Sequence, residues 1–332
     1  MLVIISKVQN IVYCFDENYN LQAFTSIISL LDNISKQVNI HIIHKTEDSQ
    51  DFIPKVILEH NKLEELKIYK FKKQNYEYPN VFNAHVSEAT YYRLFIEDYL
   101  PSEIDNFLYL DADIICCNDP IPIMDEIIFK LKKSNKIISA VSEIKNNNDK
   151  RIKKVVFDRL DMKSGDYFNA GVLFVDYNAW YSSKPKKELL NILIEKNQKL
   201  TFWDQDILNS YFDGDYIELD KEFNYVIDLA TYIYTLKRKY KYKKISIDAI
   251  TNKNVFLHYA GSHKPWSVDG IVCNLSEIYH HNFRKISNYK YHIVHKRKRI
   301  SINYFIKNFI SLNIFKIKYF FGFMKAFFRS FL

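Results

Sequence analysis

The sequence predicts an α/β fold in which a mixed sheet is flanked by helices, followed by a basic, aromatic C-terminal helical extension. Short apolar runs alternate with helical patterns over the first two thirds of the 332 residues, as in proteins built from a sheet covered by helices. Acidic residues stop at Glu277, whereas lysine, arginine and phenylalanine continue to the end. The length and the 48% hydrophobic content suffice for a buried core.

Apolar runs of strand length recur along the chain. They predict strands at residues 11–15, 38–43, 67–71, 107–110, 136–141, 167–175 and 255–259. Apolar residues at helical spacing predict helices at 52–66, 84–99, 186–196 and 205–211, with a polar excursion that contains a helix at 142–159. A further helix after residue 18 places Leu21, Phe24, Ile28 and Leu31 on one face.

The net charge of +8 is unevenly distributed along the chain. Residues 279–332 carry twelve basic and no acidic side chains, which leaves the rest at −4. Such asymmetry indicates an anionic partner for the basic end. We therefore predict a globular domain at 1–280 and a basic, membrane-associating tail at 281–332.

The tail has the pattern of a helix that lies in a membrane interface. On a helix, Lys307, Lys318, Lys325 and Arg329 fall within about 40° of one another, while Lys316 lies opposite. Most of the remaining surface is Phe, Ile and Leu. This pattern favours contact with an anionic membrane surface. It disfavours nucleic acid as the partner of the tail, because binding to nucleic acid would leave the phenylalanine side chains exposed to water. An oligomer contact is the third alternative.

Cysteine use and the N-terminus predict a cytoplasmic protein. Cys14, Cys116, Cys117 and Cys273 match neither a zinc pattern nor a disulfide framework, so we expect buried thiols in a reducing compartment. The apolar run at 2–6 is too short for a secretion signal. No segment of the sequence reaches about 18 uncharged apolar residues, the length that a membrane span needs. The expected location is the inner face of the plasma membrane.

Asp111 and Asp113 directly follow an apolar run that predicts a strand. Ligands of open α/β sheets bind at the carboxyl ends of strands, and two carboxylates one residue apart can present a hard cation to a diphosphate. The alternative is a solvated turn. Because the same spacing recurs at 204–206 and 213–215, it is the preceding strand that favours a metal site here.

A second strand end carries His258, which is followed by Gly261 and by Lys264-Pro265-Trp266. Gly261 allows a close approach to the backbone. Lys264 offers a cation that would stabilise charge developing on a leaving diphosphate. The alternative for His258 is an ordinary core or surface histidine.

Two further clusters border predicted elements. Asn169 is followed by two small residues, which indicates either tight packing beside a bulge or a backbone opened for a sugar that Asn169 binds. Asp204, Gln205 and Asp206 open a predicted helix, where an acidic residue can also serve only as a cap.

Four ordered blocks resemble glycosyltransferase family 8, the family of bacterial lipopolysaccharide galactosyl- and glucosyltransferases, with glycogenin as a more distant relative. They are residues 90–93, 108–113, 168–172 with 204–206, and 258–266. The resemblance extends from about residue 11 to 266, and Glu17 stands where many relatives carry aspartate. It implies a GT-A fold with a Rossmann-like sheet, Mn²⁺ or another divalent cation, and retention of anomeric configuration.

The resemblance also implies roles for individual residues. It implies a metal site formed by Asp111, Asp113 and His258. The donor contacts that it implies are Asp16, Asn18 and Tyr19 at the uridine, Thr90, Arg93, Asp111 and Ala112 along the donor, Asn169 and Ala170 at the sugar, and Gly261 and Lys264 at the diphosphate. The candidates for the chemical step are Asp204, Gln205 and Lys264.

We therefore expect a retaining, metal-dependent glycosyltransferase that moves galactose or glucose from a UDP-sugar to a saccharide or glycolipid acceptor, lipopolysaccharide or another glycan. A double displacement needs a carboxylate nucleophile, for which Asp204 or Asp206 has the chemistry unless Gln205 occupies that face. We favour front-face attack with the diphosphate assisting. The alternatives are a non-catalytic sugar- or membrane-binding protein and an Asp-x-Asp phosphatase. In such phosphatases the motif normally lies nearer the N-terminus, and Thr or Val occupies the position at which this chain has Ile115.

Overall fold

The computed structural model describes residues 8–72, 74–79, 87–145, 149–229, 246–267, 270 and 273–294. The strands in these ranges are β1 (Gln9–Phe15), β2 (Val38–His44), β3 (Leu63–Lys70), β4 (Asn106–Leu110), β5 (Ile114–Cys116), β6 (Ile138–Ile144), β7 (Tyr167–Asp176), β8 (Ile217–Glu218), β9 (Tyr225–Val226) and β10 (Phe256–His258). The α-helices are α1 (Asn20–Asn33), α2 (Lys55–Leu58), α3 (Ile121–Ser134), α4 (Lys150–Ile152), α5 (Tyr177–Ser183), α6 (Lys186–Glu195), α7 (Trp203–Phe212), α8 (Ile247–Thr251) and α9 (Ser276–Ile286). Glu17–Tyr19, Glu88–Asp98, Asn197–Lys199 and Lys221–Phe223 are 3₁₀ helices, and Lys153–Asp158 is a π-helix.

Seven strands form the central sheet in the order β3-β2-β1-β4-β7-β6-β8. Strands β3, β2, β1 and β4 are parallel, β7 runs antiparallel to β4 and β6, and β8 is parallel to β6. The mixed sheet flanked by helices that the sequence predicts is confirmed.

Strand β1 shows why both faces of this sheet are covered. Its seven residues are all buried. Ile11, Tyr13 and Phe15 pack with α1 on one face, and Val12 and Cys14 pack with the segment Glu88–Asp98 on the other. Successive side chains of a strand point to opposite faces, so a strand buried on both faces needs the continuous apolar run seen here.

A second, three-stranded sheet has the order β5-β10-β9. Strand β10 runs antiparallel to β5, with His258 opposite Ile114, and parallel to β9. The Tyr259 N–H donates to the Asp113 carbonyl at 3.1 Å. This pairing brings together the two strand ends at which the sequence predicts functional residues.

The helix predicted at 52–66 is wrong. Helix α2 covers only Lys55–Leu58, and β3 begins already at Leu63. Within β3, Glu64 and Glu65 are both exposed while Leu66 is buried. This edge strand lacks the strict alternation that distinguishes a half-buried strand from an amphipathic helix, so its pattern resembles that of a helix.

Three other predicted elements differ in detail. The segment Glu88–Asp98 is a 3₁₀ helix within the α-helix predicted at 84–99, whose first residues lie outside the described ranges. The excursion predicted to start at residue 142 starts later, because β6 continues to Ile144. In α1, Leu21 is 41% exposed and does not join the buried face that contains Phe24 and its neighbours.

Helix α9 packs against α1 and forms the last helix of the described chain. Tyr279 and Phe283 are buried, and Lys285 binds Asp32 of α1 at 2.5 Å. The boundary predicted at residue 280 therefore lies inside a packed helix. The predicted tail helix with Lys307, Lys316, Lys318, Lys325 and Arg329 lies outside the described residues. Among the described residues, no helix has the length and apolar character needed to cross a membrane.

Candidate active site

Strand β4 delivers the first carboxylate of the predicted metal site to the edge of the sheet. Asp111 follows β4, and its N–H donates to the Gly171 carbonyl of β7 at 2.9 Å. Tyr109 lies two residues earlier and thus on the same face, and its hydroxyl donates to Asp111 Oδ1 at 2.9 Å. A turn closed by the Ile114 N–H and the Asp111 carbonyl then places Asp113 at the start of β5.

Asp111, Asp113 and His258 come together as the sequence predicts. One possible ligand atom of each lies within 4.8 Å of the others. His258 Nε2 is 3.3 Å from Asp113 Oδ1, and both side chains are nearly buried. Carboxylate oxygens and an imidazole nitrogen are ligands for divalent cations, so these three residues could hold one.

Asp113 shows the imbalance that a cation would correct. Its Oδ2 accepts a hydrogen bond from Lys264 Nζ at 2.6 Å, but its buried Oδ1 accepts none from the described residues. Burial opposes ionisation of this carboxyl, yet the Lys264 ammonium holds its pKa below the usual range. Since buried polar atoms are almost always satisfied, the orphaned oxygen and the donor set together fit a divalent cation.

Lys264 reaches this cluster from the turn after β10. Its Nζ also donates to the Tyr259 carbonyl at 2.7 Å, and the residue is only 7% exposed. Gly261 opens the turn with a φ of 80°, where a Cβ would lie 3.2 Å from Asp228 Oδ1. The turn ends at Trp266, which makes an edge-to-face contact with Tyr19 at 6.2 Å.

Arg93 links the cluster of Asp111, Asp113 and His258 to the acidic residues at the start of α7. Its guanidinium binds Asp111 at 2.5 Å, Asp204 at 2.8 Å and the Ala170 carbonyl at 2.7 Å. It also lies over the Tyr109 ring, 4.1 Å from the centroid. Because a guanidinium carries five N–H donors in one plane, this buried side chain fixes the ends of β4, β7 and α7 relative to one another.

Helix α7 begins with the residues predicted at the sugar site. Asp204 accepts a hydrogen bond from the Thr90 hydroxyl. Burial, partly offset by Arg93, raises the pKa of Asp204 to about 6. Gln205 accepts at Oε1 from the Ala170 N–H at 3.0 Å and donates from Nε2 to Glu143 at 3.1 Å. The backbone thus holds Asp204 and Gln205 side by side facing Ala170 and Arg93.

Asp206 has a structural role. Its side chain is fully buried, and its carboxylate accepts two hydrogen bonds from Arg159 at 2.7 and 2.9 Å and one from the Tyr167 hydroxyl at 2.7 Å. The N–H groups of Thr201 and Phe202 donate to it at 2.6 and 2.8 Å. Asp206 therefore fixes the start of α7, which agrees with a capping role and leaves no oxygen directed at a substrate.

The small residues after Asn169 lie where β6 and β7 shift register. A Cβ on Gly171 would lie 2.5 Å from His258 Cε1. The absent side chain at Gly171 therefore makes room for the histidine ring, which agrees with the first of the two alternatives from the sequence, tight packing beside a bulge. The Asn169 amide is engaged as well, since its Oδ1 accepts from the Gly171 N–H at 3.0 Å.

Six of the eleven residues predicted to contact the donor line one open cleft. The five that are not among its lining residues are Asp16, Asn18, Asn169, Ala170 and Gly261. Asp16 is buried and accepts from the Asn18 N–H at 3.0 Å, which caps the segment Glu17–Tyr19. The cleft is lined by Cys14, Phe15, Tyr19, Ser87, Ala89, Thr90, Arg93, Asp111, Ala112, Asp113 and Lys264. Predicted metal, nucleotide and diphosphate residues thus share a single opening.

A family model described as glycosyl transferase family 8 matches residues 10–270. The chain belongs to glycosyltransferase family 8. Lipopolysaccharide 1,2-glucosyltransferase of Escherichia coli K12 is 28% identical over 270 residues, 79% of this chain and 73% of that enzyme. Lipopolysaccharide 1,3-galactosyltransferase of Salmonella typhimurium LT2 is 29% identical over 261 residues, 77% of this chain and 72% of that enzyme.

Solved structures confirm the fold of this family 8 glycosyltransferase. The galactosyltransferase LgtC, in complex with donor and acceptor sugar analogues, matches with a TM-score of 0.66 at 20% identity and covers 84% of this chain and 96% of LgtC. GlyE of Streptococcus pneumoniae TIGR4 matches with a TM-score of 0.60 at 22% identity, over 83% of this chain and 61% of GlyE. The predicted GT-A fold is thereby confirmed.

Three polar residues of the family 8 site were not singled out in the sequence. Tyr109 could have been found from its position two residues before Asp111 on one strand face. Glu143 accepts from Gln205, and Asn224 contacts both Asn169 and His258. Asn224 lies just before the two-residue strand β9, where no periodicity marks it.

Proposed function

We propose that this glycosyltransferase is retaining and metal-dependent, and that it moves galactose or glucose from a UDP-sugar to a saccharide acceptor. The observation that carries the proposal is the cluster of Asp111, Asp113 and His258 beside the cations Arg93 and Lys264. The names of the relatives from Escherichia coli and Salmonella typhimurium support an acceptor of lipopolysaccharide type or another cell-surface glycan.

Asp111, Asp113 and His258 would hold the cation, with Mn²⁺ as the first candidate. Bound there, it would stabilise negative charge on the diphosphate leaving group. The three side chains come from the ends of β4, β5 and β10. The turn between β4 and β5 and the pairing of β5 with β10 set their separation. Ligands placed by strand ends are held more accurately than ligands on loops.

Lys264 would bring a second positive charge to the diphosphate. Its Nζ already lies at the metal cluster, 2.6 Å from Asp113. A preorganised cation beside a leaving group stabilises the charge that develops in the transition state. Tyr19 and Thr90, which line the same cleft, are proposed contacts of the remainder of the donor.

The two acidic residues of α7 favour front-face attack over a double displacement. Asp204 is bound by Arg93 and Thr90, and Asp206 is buried among five donor groups. Neither is a free carboxylate beneath a sugar, as a covalent nucleophile must be. In the proposed step the acceptor oxygen bonds to the anomeric carbon, the bond to the diphosphate breaks on the same face, and a diphosphate oxygen takes the acceptor proton.

We further propose that the enzyme works at the cytoplasmic face of the plasma membrane. Support comes from the basic, aromatic composition of residues 281–332, which suits an anionic membrane surface. A tail attached there would hold the cleft close to a glycolipid acceptor.

A donor screen tests this function. The full-length protein is incubated with Mn²⁺ and single UDP-sugars, and UDP release is measured together with the anomeric configuration of the first product by proton NMR. We expect UDP-galactose or UDP-glucose to be turned over, with the donor's configuration retained. Phosphate ester hydrolysis without UDP release would support the phosphatase alternative, and donor binding without turnover would support the non-catalytic one. A product of inverted configuration would contradict the proposed mechanism.

A further inference from the structure

We propose that Asn224 is a positioning residue that holds His258 in the Nδ1–H tautomer, so that the Nε2 lone pair faces the two carboxylates. The inference rests on the proposed role of His258 in binding a metal. Asn224 does not belong to the metal cluster itself. It acts through an ordered set of hydrogen bonds that starts at the backbone N–H of Gly171.

The first amide of this set has only one possible orientation. The Gly171 N–H is a donor that cannot be reversed, and it donates to Asn169 Oδ1 at 3.0 Å. Asn169 Nδ2 donates to Glu143 at 3.4 Å, and a carboxylate can only accept. Both neighbours therefore require the same arrangement, with the oxygen of Asn169 turned towards Gly171.

The second amide inherits its orientation from the first. Asn224 Nδ2 donates to Asn169 Oδ1 at 2.8 Å. Its Oδ1 must then be the atom that faces His258 Nδ1 at 3.0 Å. A carbonyl oxygen can only accept, so His258 carries its hydrogen on Nδ1. A histidine that binds a metal through one nitrogen is typically oriented by such a bond at the other.

Burial makes the alternative tautomer costly. Asn224 is 2% exposed, and Asn169 and His258 are each 6% exposed. With the hydrogen on Nε2, the lone pair of Nδ1 would face the Asn224 oxygen. Leaving a buried polar atom unsatisfied is unfavourable, and reversing Asn224 would only move the mismatch to Asn169.

Gly171 holds the ring from the other side. A Cβ at this position would lie 2.5 Å from His258 Cε1 and 2.7 Å from Nδ1. The imidazole therefore rests directly on the backbone of β7 and is bonded at Nδ1 by Asn224. Its Nε2 is 3.3 Å from Asp113 Oδ1, which accepts no hydrogen bond from the described residues.

Histidine NMR of the metal-free, full-length protein tests the tautomer without any activity measurement. The protein is labelled with ¹³C and ¹⁵N in its ten histidines, kept under alkaline conditions where an ordinary imidazole is neutral, and His258 is assigned with His258→Gln. We expect the shifts of the Nδ1–H tautomer. A wild-type His258 with its hydrogen on Nε2 would overturn the inference, and no variant is needed to see it.

A leucine variant separates orientation of the ring from simple packing. Asn224→Leu keeps a side chain of similar size and removes the acceptor for Nδ1–H. We expect this variant to lose the tautomer preference and to bind Mn²⁺, with UDP present, about tenfold to a hundredfold more weakly. Weaker Mn²⁺ binding with an unchanged tautomer preference would show a packing role and contradict the inference.

The outcomes distinguish this inference from the proposed function. If the wild-type protein binds no Mn²⁺ with or without UDP, the metal role of His258 fails, while the NMR result still decides the tautomer. If Mn²⁺ binds and Asn224→Leu changes neither tautomer nor affinity, the proposed function stands and the inference fails.

Discussion

Arg93 and Lys264 are both cations beside the carboxylates of the site, but their surroundings give them different roles. Arg93 joins Asp111, Asp204 and the backbone of β7 in one buried set of contacts. Lys264 binds one carboxylate and one carbonyl from a turn at the edge of the cleft. Arg93 therefore belongs to the framework of the site, and Lys264 is placed to act on a ligand.

Replacing Lys264 should impair the chemical step more than donor binding. With Lys264→Ala we expect turnover of the donor to fall on the order of a hundredfold, with a smaller change in donor affinity, because the charge on the leaving group peaks in the transition state. Lys253→Ala is the matched control, since Lys253 is an exposed lysine paired with Glu222 at 3.1 Å. Steady-state kinetics of UDP release measures the turnover and the apparent donor affinity of each variant. Unchanged turnover in Lys264→Ala would show that this cation does no work in catalysis.

Replacing Arg93 should lower stability even when the charge is kept. Arg93→Lys provides one ammonium where two buried carboxylates and a carbonyl are bound, and lysine lacks the planar set of donors. We expect the free energy of unfolding to drop by about 1–3 kcal/mol, as for a buried acceptor left without its hydrogen bond, measured by urea denaturation. Arg151→Lys on the surface should change it by less than about 0.5 kcal/mol. Equal stability of the two variants would mean that Arg93 is not part of the framework.

At the scale of elements, α9 supports the turn that carries Lys264. His280 donates from Nε2 to the Pro265 carbonyl at 3.0 Å, and its Nδ1 accepts from the His292 N–H at 3.4 Å. Both ring nitrogens are thus satisfied only in the neutral form. Burial lowers the pKa of His280 to about 3 and that of His292 to about 4.

Because of these two histidines, we expect acid to destabilise the contacts that support the turn. As the pH falls below about 6.5, the unfolded chain binds protons that the folded His280 and His292 do not take up. The contribution of these histidines to the free energy of unfolding is therefore fully present above that pH and declines below it. The expected loss is on the order of 1–2 kcal/mol per histidine between pH 7 and pH 5. In urea denaturation, the free energy of unfolding should differ less between pH 7 and pH 5 for His292→Gln than for wild type. His263→Asn, in the less buried part of the same turn, is the control, and an unchanged difference in His292→Gln would contradict the assignment.

The elements also show which features a sequence can reveal. The buried strands β1, β4 and β7 were predictable because each is an apolar run of strand length bounded by polar residues. The second half of β3 was predicted as the strand at 67–71, but its first half was not, because an edge strand with two adjacent exposed glutamates resembles a helix. The two halves of the proposed metal site could be predicted as strand ends. Asn224 could not, since its role depends on which amide lies next to it in space.

On the scale of the whole molecule, the packed part of the chain continues past residue 280. Helix α9 runs to Ile286, and the Val294 N–H donates to the Trp266 carbonyl at 2.8 Å. A truncation that removes only the basic, aromatic end should therefore begin after Val294. Cutting at 280 would remove Phe283 from the core and His292 from the support of the turn.

A protein that ends at residue 294 tests the proposed membrane tail. We expect it to hydrolyse the donor like the full chain, because every proposed site residue precedes Trp266, and to lose activity towards a membrane-embedded acceptor. Co-sedimentation with anionic and neutral vesicles at low and high salt measures attachment, since each cation near an anionic surface contributes about 1 kcal/mol. Equal sedimentation of the full and truncated proteins with anionic vesicles would favour an oligomer contact for the tail.

In the proposed function, Asp111, Asp113 and His258 hold a cation without which the donor is not cleaved. The most direct measurement is UDP release by the full-length protein in Mn²⁺, in excess chelator, and in Mn²⁺ with Asp113→Asn. Asp215→Asn is the matched control, because Asp215 belongs to another Asp-x-Asp spacing and forms a surface pair with Lys136. We predict activity in Mn²⁺ for wild type and Asp215→Asn, and none in chelator or for a folded Asp113→Asn. Full activity in excess chelator, or in Asp113→Asn, would show that the donor is cleaved without a cation at these residues.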